Sequence, residues 1–332
     1  MKLTEVKDQF LMDTSARGRS ELTLINYEQR LRSLVWLLEH VCTEEKEPVE
    51  VVELEQVTVS HLRQCVQYLL TSGDRPSSPN PKHKGRRPVS GGALDASSVG
   101  AYVRVWKSFF NWCYQEELID VNPVTRLRAP KVTKRIIPTF SVEHLKAMLA
   151  VCDLHTERGF RDYVIVLLFL DTGLRLTELA KLRVRDVCDS YVKVMFGKGR
   201  REREVGVSPD VSKLLWKFLH KYRKSESDKD GSLFGLTSNG VKEVIRRVKR
   251  ESGIEGVRVS PHTFRHTFAK MYMELGGDLF KLSREMGHSD VNITKKYLEN
   301  FSSTEARKGH ATYSPLTLLD LKKKRRAKRL PD

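Results

Sequence analysis

The segment "VNPVTRLRAPKVTKRIIPTFS", residues 121–141, constrains the folding of this chain more than any other stretch. Pro123, Pro130 and Pro138 lack amide donors and fix their own φ, so no helix runs through them. Arg126, Arg128, Lys131, Lys134 and Arg135 keep the intervening chain in water. Amphipathic helical patterns stand on both sides, and 332 residues exceed what one ordinary core accommodates. The expectation is two domains, residues 1–130 and 139–300, joined by a linker at 131–138 and followed by a tail at 301–332.

Ahead of the break the pattern is helical. Leu24, Tyr27, Leu31, Leu34, Trp36 and Leu38 follow a helical period from about Thr23. A second helix is expected over Val59–Leu70 with Thr58 or Ser60 as N-cap, and a third from Ala96 to about Glu117. Between them "TSGDRPSSPNPKHKGRRPVSGGALD" carries four prolines and four glycines, which exclude regular structure and make a surface loop. In "VWKSFFNWCYQEEL" the aromatics Trp106, Phe109, Phe110, Trp112 and Tyr114 invite a base-stacking reading. Core packing fits better, because Phe109 and Phe110 suit a helix face turned to its neighbours and the rings are not spread through a basic strand.

Beyond the break, Ser141 caps a helix with Glu143 in its first turn, and "DYVIVLLFLDTGLRLTELAKL" reads as a buried helix, a glycine turn and a second helix. "YVKVMF" and "EREVGV" alternate like strands around "GKGRR", a hairpin. Helices return at Val211–Lys221 and Ser238–Arg250. The fold class expected is mainly α in two domains, the second carrying a small antiparallel sheet.

The charge balance, 59 Lys+Arg against 42 Asp+Glu for a formal +17, favours a polyanionic partner, nucleic acid first. It names no reaction. Five cysteines, odd in number and never in a C-x-x-C pair, point neither to a disulfide framework nor to a zinc site, and suit a reducing compartment. No run approaches the roughly 18 apolar residues of a membrane span, and the N-terminus lacks the apolar region of a signal peptide, so a cytoplasmic protein is expected.

Four short pieces of the second half hold the polar residues that carry chemistry. In "TGLRLTELAKL", Arg175 and Glu178 stand three apart; taken alone they read as a surface ion pair worth under ~1 kcal/mol. Lys198 sits in the hairpin turn between Gly197 and Gly199. "PHTFRHTFAKMY" places His262 and Arg265 together on a helix begun at Pro261, with His266 in a structural or supporting part. "MGHSDVNITKKYLEN" sets His288 after Gly287, a C-cap candidate, and Tyr297 inside a further helix.

Together these pieces, in the order Arg, Lys, His-x-x-Arg, Gly-His, Tyr, resemble the tyrosine recombinase (phage integrase) family across residues 139–300. "TGLRLTEL", "HTFRHTFA" and "MGHSDVNITKKY" look like its signature boxes. The chemistry is consistent with the resemblance. Ionising a phenol of pKa near ~10 at pH 7 costs about 4 kcal/mol, which a positive pocket lowers. A five-coordinate phosphorus transition state needs donors aimed at its non-bridging oxygens, and guanidinium forks supply them.

The resemblance implies that Tyr297 is the nucleophile forming a 3′-phosphotyrosyl link and Lys198 the general acid for the departing 5′ oxygen. It implies that Arg175 and Arg265 hold the phosphate, that His262 and His288 assist proton transfer and phosphate binding, and that Glu178 orients Arg175 or neighbouring groups. Arg200, Arg201, Lys131, Lys134 and Arg135 are expected to bind DNA. No metal, cofactor or ATP is expected. The first half then resembles the helical core-binding domain, from about Thr14. Only about a dozen residues are expected ahead of the first helix, so the separate arm-binding domain of lambda-like integrases is expected to be absent, as in simple Xer or transposon-type members.

The implied activity is site-specific recombination serving integration, resolution or transposition of a mobile element. The partners are duplex DNA with paired inverted-repeat core sites, a homo-tetramer on that DNA, and accessory proteins, in a nucleoid-associated cytoplasmic setting. In the tail, Leu316, Leu318, Leu319 and Leu321 are candidates for docking on a neighbouring subunit, and Lys322–Arg329 adds phosphate contacts. Two alternatives are a type IB topoisomerase-like relaxing enzyme and a non-catalytic DNA-binding regulator with the same fold.

Overall fold

The computed structural model describes residues 1–42, 52–72, 92–132, 138–195, 202–222, 231–288, 290, 291 and 294. It divides into two compact units, Met1–Lys134 and Arg135–Asp332.

The first unit holds four described helices, α1 (Leu3–Ala16), α2 (Glu21–His40), α3 (Val59–Thr71) and α4 (Ala96–Gln115). Helix α1 corrects the expectation that about a dozen residues precede the first helix. Leu3, Val6, Phe10 and Thr14 are its buried positions, at helical spacing, but polar and charged residues crowd between them and dilute the sequence signal. Tertiary contacts secure its start, where Leu3 N donates to Val52 O at 2.9 Å and Leu54 N to Met1 O at 2.8 Å.

Ser20, Thr58 and Asp95 cap α2, α3 and α4 by accepting backbone amides of the first turn. Trp106, Phe109 and Phe110 are fully buried, Phe10 meets Phe109 edge-on at 5.5 Å, and Trp106 Nε1 donates to Arg30 O at 3.3 Å. These rings are core, not a stacking platform; Tyr114 alone of the five is exposed, at 50%. Most of the glycine- and proline-rich loop, residues 73–91, lies outside the described residues.

The second unit contains α5 (Val142–Ala150), α6 (Glu157–Thr172), α7 (Leu176–Lys181), β1 (Tyr191–Val194), β2 (Arg203–Gly206), α8 (Pro209–Tyr222), α9 (Ser238–Ser252), α10 (Pro261–Glu274) and α11 (Leu279–Met286). The fold is mainly helical with a two-stranded antiparallel sheet, as the pattern predicts. Val164, Ile165, Leu168 and Phe169 bury α6 between α8 and α10. Phe264 of α10 packs on Phe140 at 4.8 Å and Phe169 at 5.8 Å. The sheet pairs Val192 with Val205 and Val194 with Arg203, so Arg203 shares the inward face of β2 with Val205.

Two helices of this unit end at left-handed glycines where an added side chain would also meet a close neighbour. Helix α6 ends at Gly173 with φ 59°, where a Cβ would lie 2.3 Å from Cδ1 of Phe268. Helix α11 ends at Gly287 with φ 64°, where a Cβ would stand 2.8 Å from the Arg203 guanidinium carbon. Both positions exclude a side chain on two grounds, the left-handed backbone and the space. Helix α11 itself packs through a small cluster of Phe268, Ala269, Leu282 and Met286, separate from the main core. Among the described residues no helix is long and apolar enough to cross a membrane.

Replacing Gly173 with Ala is therefore expected to destabilise the protein by about 1–3 kcal/mol in denaturant unfolding. Adding Phe268→Leu should recover part of the loss. An unchanged unfolding midpoint for Gly173→Ala contradicts this account.

Candidate active site

The site grows from one buried carboxylate. Arg175 is the N-cap of α7, and Glu178, three residues on, reaches back so that its Oε2 accepts from Arg175 N at 2.9 Å. Its Oε1 accepts from Arg175 Nη1 at 2.8 Å. From the inward face of β2, Arg203 adds a fork to the same carboxylate, Nη1 to Oε1 at 3.1 Å and Nη2 to Oε2 at 2.8 Å. Glu178 is only 4% exposed, so the expectation of a surface ion pair is corrected: the pair is buried and shared by two arginines. Burial alone pushes this carboxyl up, but Arg203 and the Arg175 amide and guanidinium outweigh it and hold the group at about 2.

Arg265, 5% exposed, projects from α10, whose first turn Ser260 caps and Pro261 opens. Its Nη1 donates to Gly173 O at 2.7 Å and its Nη2 to Met286 O at 2.6 Å. Both acceptors belong to helix C-termini, those of α6 and α11, where the helix dipoles are negative; this compensates a buried cation. Arg203 Nε donates to Glu285 O at 2.8 Å and Arg175 Nη2 to Gly287 O at 3.3 Å. Three arginines thus grip the last turn of α11.

His288 follows that turn. Its Nε2 lies 2.8 Å from Arg265 Nη2 and its Nδ1 2.7 Å from Thr294 Oγ1. A guanidinium only donates, so Nε2 is the acceptor, and the ring proton sits on Nδ1 and is donated to the threonine oxygen. The imidazole is neutral in this arrangement. Burial, then the charges of Arg265, Arg175 and Arg203, push its pKa down to about 4, with Glu178 opposing. Here His288 orients Arg265.

Arg175, Arg265 and His262 line one cavity of about 770 Å³, with Lys242, Arg246 and His266 also on its walls. His262 is exposed, one turn ahead of the buried Arg265. His266 is half-buried, and burial, then His262 and Arg265, lower its pKa. Three guanidinium groups (Arg175, Arg203, Arg265) against one carboxylate and a neutral imidazole leave this cluster with a net charge of plus two. That charge suits an anion such as a phosphate.

Of the residues singled out in the sequence, Arg175, Glu178, Arg265 and His288 form one hydrogen-bonded network, and His262 shares the cavity. Lys131 is exposed. Lys134, Arg135, Lys198, Arg200, Arg201, Tyr297 and the tail 301–332 lie outside the described residues. Arg203 is the residue that sequence reasoning missed. Its signal was the strand alternation itself, which puts an arginine on the same face as Val205 and so demands a buried partner.

Two of the shifted groups, His288 and Glu178, dominate the acid profile of the site. His288, with a folded pKa below its unfolded value of 6.5, withdraws stability as pH falls from about 6.5 towards 4. Glu178, depressed from 4.5, withdraws stability as pH falls from about 4.5 towards 2. Unfolding followed against pH should show both losses, with His288→Asn reducing the upper one, which His266 shares, and Glu178→Gln reducing the lower. Glu178→Gln should also cost roughly 3 kcal/mol at neutral pH. Acid profiles that neither substitution changes contradict the assignment.

Comparison with known proteins places this geometry. Residues 139–303 match the model of the phage integrase family. The tyrosine recombinase XerD of Staphylococcus haemolyticus is 30% identical over 230 residues, 66% of this chain and 77% of that protein. XerC of Chlamydia caviae is 29% identical over 199 residues, 58% of this chain; the chain spans 64% of that relative's length. In fold, the Tn1549 transposon integrase, solved with a circular intermediate DNA, is similar at a TM-score of 0.68 and 16% identity, covering 95% of this chain and all of that one. The match reaches across Arg175, Glu178, Arg265 and His288, and on this likeness the chain belongs to the phage integrase family of site-specific tyrosine recombinases.

Proposed function

We propose that this tyrosine recombinase cuts and rejoins duplex DNA through a 3′-phosphotyrosyl intermediate, with Tyr297 as nucleophile. The observation that carries the reading is the convergence of Arg175 and Arg265, ninety positions apart, on a single cavity beside His262. A phosphodiester carries one negative charge, and attack by a phenolate brings a second into the transition state; the positive charge of Arg175 and Arg265, with Lys242, Arg246 and Arg258 on the same walls, favours it.

In the proposed cycle Tyr297 gives its phenolic proton to His262, its oxygen bonds to phosphorus as the bond from phosphorus to the 5′ oxygen breaks, and Lys198 gives that oxygen its proton. The 5′ hydroxyl of a partner strand then attacks the phosphotyrosyl link, giving its proton to Lys198, and Tyr297 leaves with the proton from His262. One ester replaces another at each step, so no external energy source enters. His288 holds Arg265 in place, and His262 faces the cavity as the imidazole available for proton transfer. Lys198 and Tyr297 take these parts from their places in the motif order.

Exchange between two duplexes cuts four strands, and one tyrosine per strand calls for four protomers, hence a homo-tetramer on paired inverted-repeat sites. The helical unit Met1–Lys134 supplies further DNA contacts, with Lys131 and Lys134 in its last residues, Arg135 next in the chain, and Arg200 and Arg201 close to Lys198 in the sequence. Such a protein acts at the chromosome, in the cytoplasm.

The test is a nicked suicide duplex carrying the site selected by binding. The wild type is expected to give a covalent adduct in a denaturing gel. Tyr297→Phe should give none while its duplex affinity in a mobility-shift titration is retained. An adduct of unchanged yield from Tyr297→Phe refutes the nucleophile.

A further inference from the structure

We propose that Arg203 is a positioning residue of this strand-exchange reaction, latching the last turn of α11, and with it His288, to Glu178, so that Arg175 and Arg265 keep the spacing one phosphate needs. The inference deepens the strand-exchange reading and rests on it. Its basis is geometric. The Arg203 guanidinium forks onto the Glu178 carboxylate at 2.8 and 3.1 Å while its Nε holds Glu285 O at 2.8 Å. Gly287 passes so close to this group that a Cβ there would stand 2.8 Å from the guanidinium carbon. One side chain therefore joins β2, α7 and α11.

The latch matters because apolar packing holds α11 only weakly. Its buried face is the four-residue cluster with α10, and the arginine bonds to Glu285 O, Met286 O and Gly287 O tie down its last turn. The start of α7 and the last turn of α11 are joined directly by Arg175 and, through Glu178, by Arg203, while Glu178 also holds the Arg175 guanidinium.

Charge and shape can be separated by substitution. Lysine at 203 keeps a cation but cannot make the fork and the Nε bond together. Glutamine removes the cation. The charged groups facing His288 among the described residues are Arg265 of α10, Arg175 ahead of α7, Glu178 of α7 and Arg203 of β2. With Arg203 gone, one charge opposing protonation of His288 disappears and Glu178 is left with one arginine, so the imidazole should titrate at higher pH than in the wild type.

The experiment uses the full chain in two measurements. On the nicked duplex, Arg203→Gln is expected to form adduct roughly 100-fold more slowly and Arg203→Lys at least about 10-fold more slowly, both with duplex affinity little changed. In ¹⁵N-histidine NMR, with the His288 signal identified by its loss in His288→Asn, the His288 midpoint should rise in Arg203→Gln and stay low in Arg203→Lys. If Arg203→Gln does not fold, Arg203→Lys carries the test through its loss of rate. A wild-type adduct rate in either folded variant overturns the proposal, as does a His288 midpoint that Arg203→Gln leaves in place. Absence of any adduct from the wild type would instead overturn the reaction reading, while the NMR midpoints still decide whether Arg203 sets the environment of His288.

Discussion

A single buried negative charge organises the second unit's functional end. Glu178, with its side chain almost wholly removed from water, is tolerable only because two guanidinium groups and one backbone amide face it. That requirement brings together three segments that the chain separates widely: the start of α7, the inward face of β2 and, through the second bonds made by both arginines, the last turn of α11. Removing the carboxylate leaves two cations without their shared partner; removing either arginine leaves a buried anion half-compensated.

The same economy of partners explains Arg265. A guanidinium at 5% exposure needs acceptors, and the helix ends at Gly173 and Met286 supply carbonyl oxygens where the dipoles are already negative. The left-handed glycines at 173 and 287 are thus part of the site, since each ends a helix where an arginine takes a carbonyl from the turn. His288 accepts from the same guanidinium and remains neutral. Arg175, Arg265 and His262 meet at one cavity, in a cluster whose net positive charge matches a phosphate passing through a doubly charged transition state.

Much of this was legible in the sequence, and the gaps have physical causes. The helix, glycine and helix around "DTGLRLTEL" were readable because an unbroken apolar run meets a glycine with a capping pattern after it. The hairpin was readable from its alternation. Arg175, Glu178, Arg265 and His288 were found by their motif order, but the network joining them was not, because three of its acceptors are backbone carbonyls, which carry no sequence signal. Arg203 was overlooked in a run of charged residues that looks solvated until its strand face is assigned. Helix α1 was missed because polar and charged residues between Leu3, Val6 and Phe10 dilute its apolar pattern, and the bonds that secure its start come from residues 52–54, far along the chain.

The proposed joint neutralisation of one scissile phosphate by Arg175 and Arg265 can be probed by changing the charge of that phosphate. A methylphosphonate at the cut position replaces one charged oxygen with a methyl group and makes the ester neutral. Folded Arg175→Ala and Arg265→Ala, inactive on the phosphodiester, are expected to form the covalent adduct on the methylphosphonate duplex. Persistent inactivity of both folded variants on the neutral ester, with binding intact, would contradict the account.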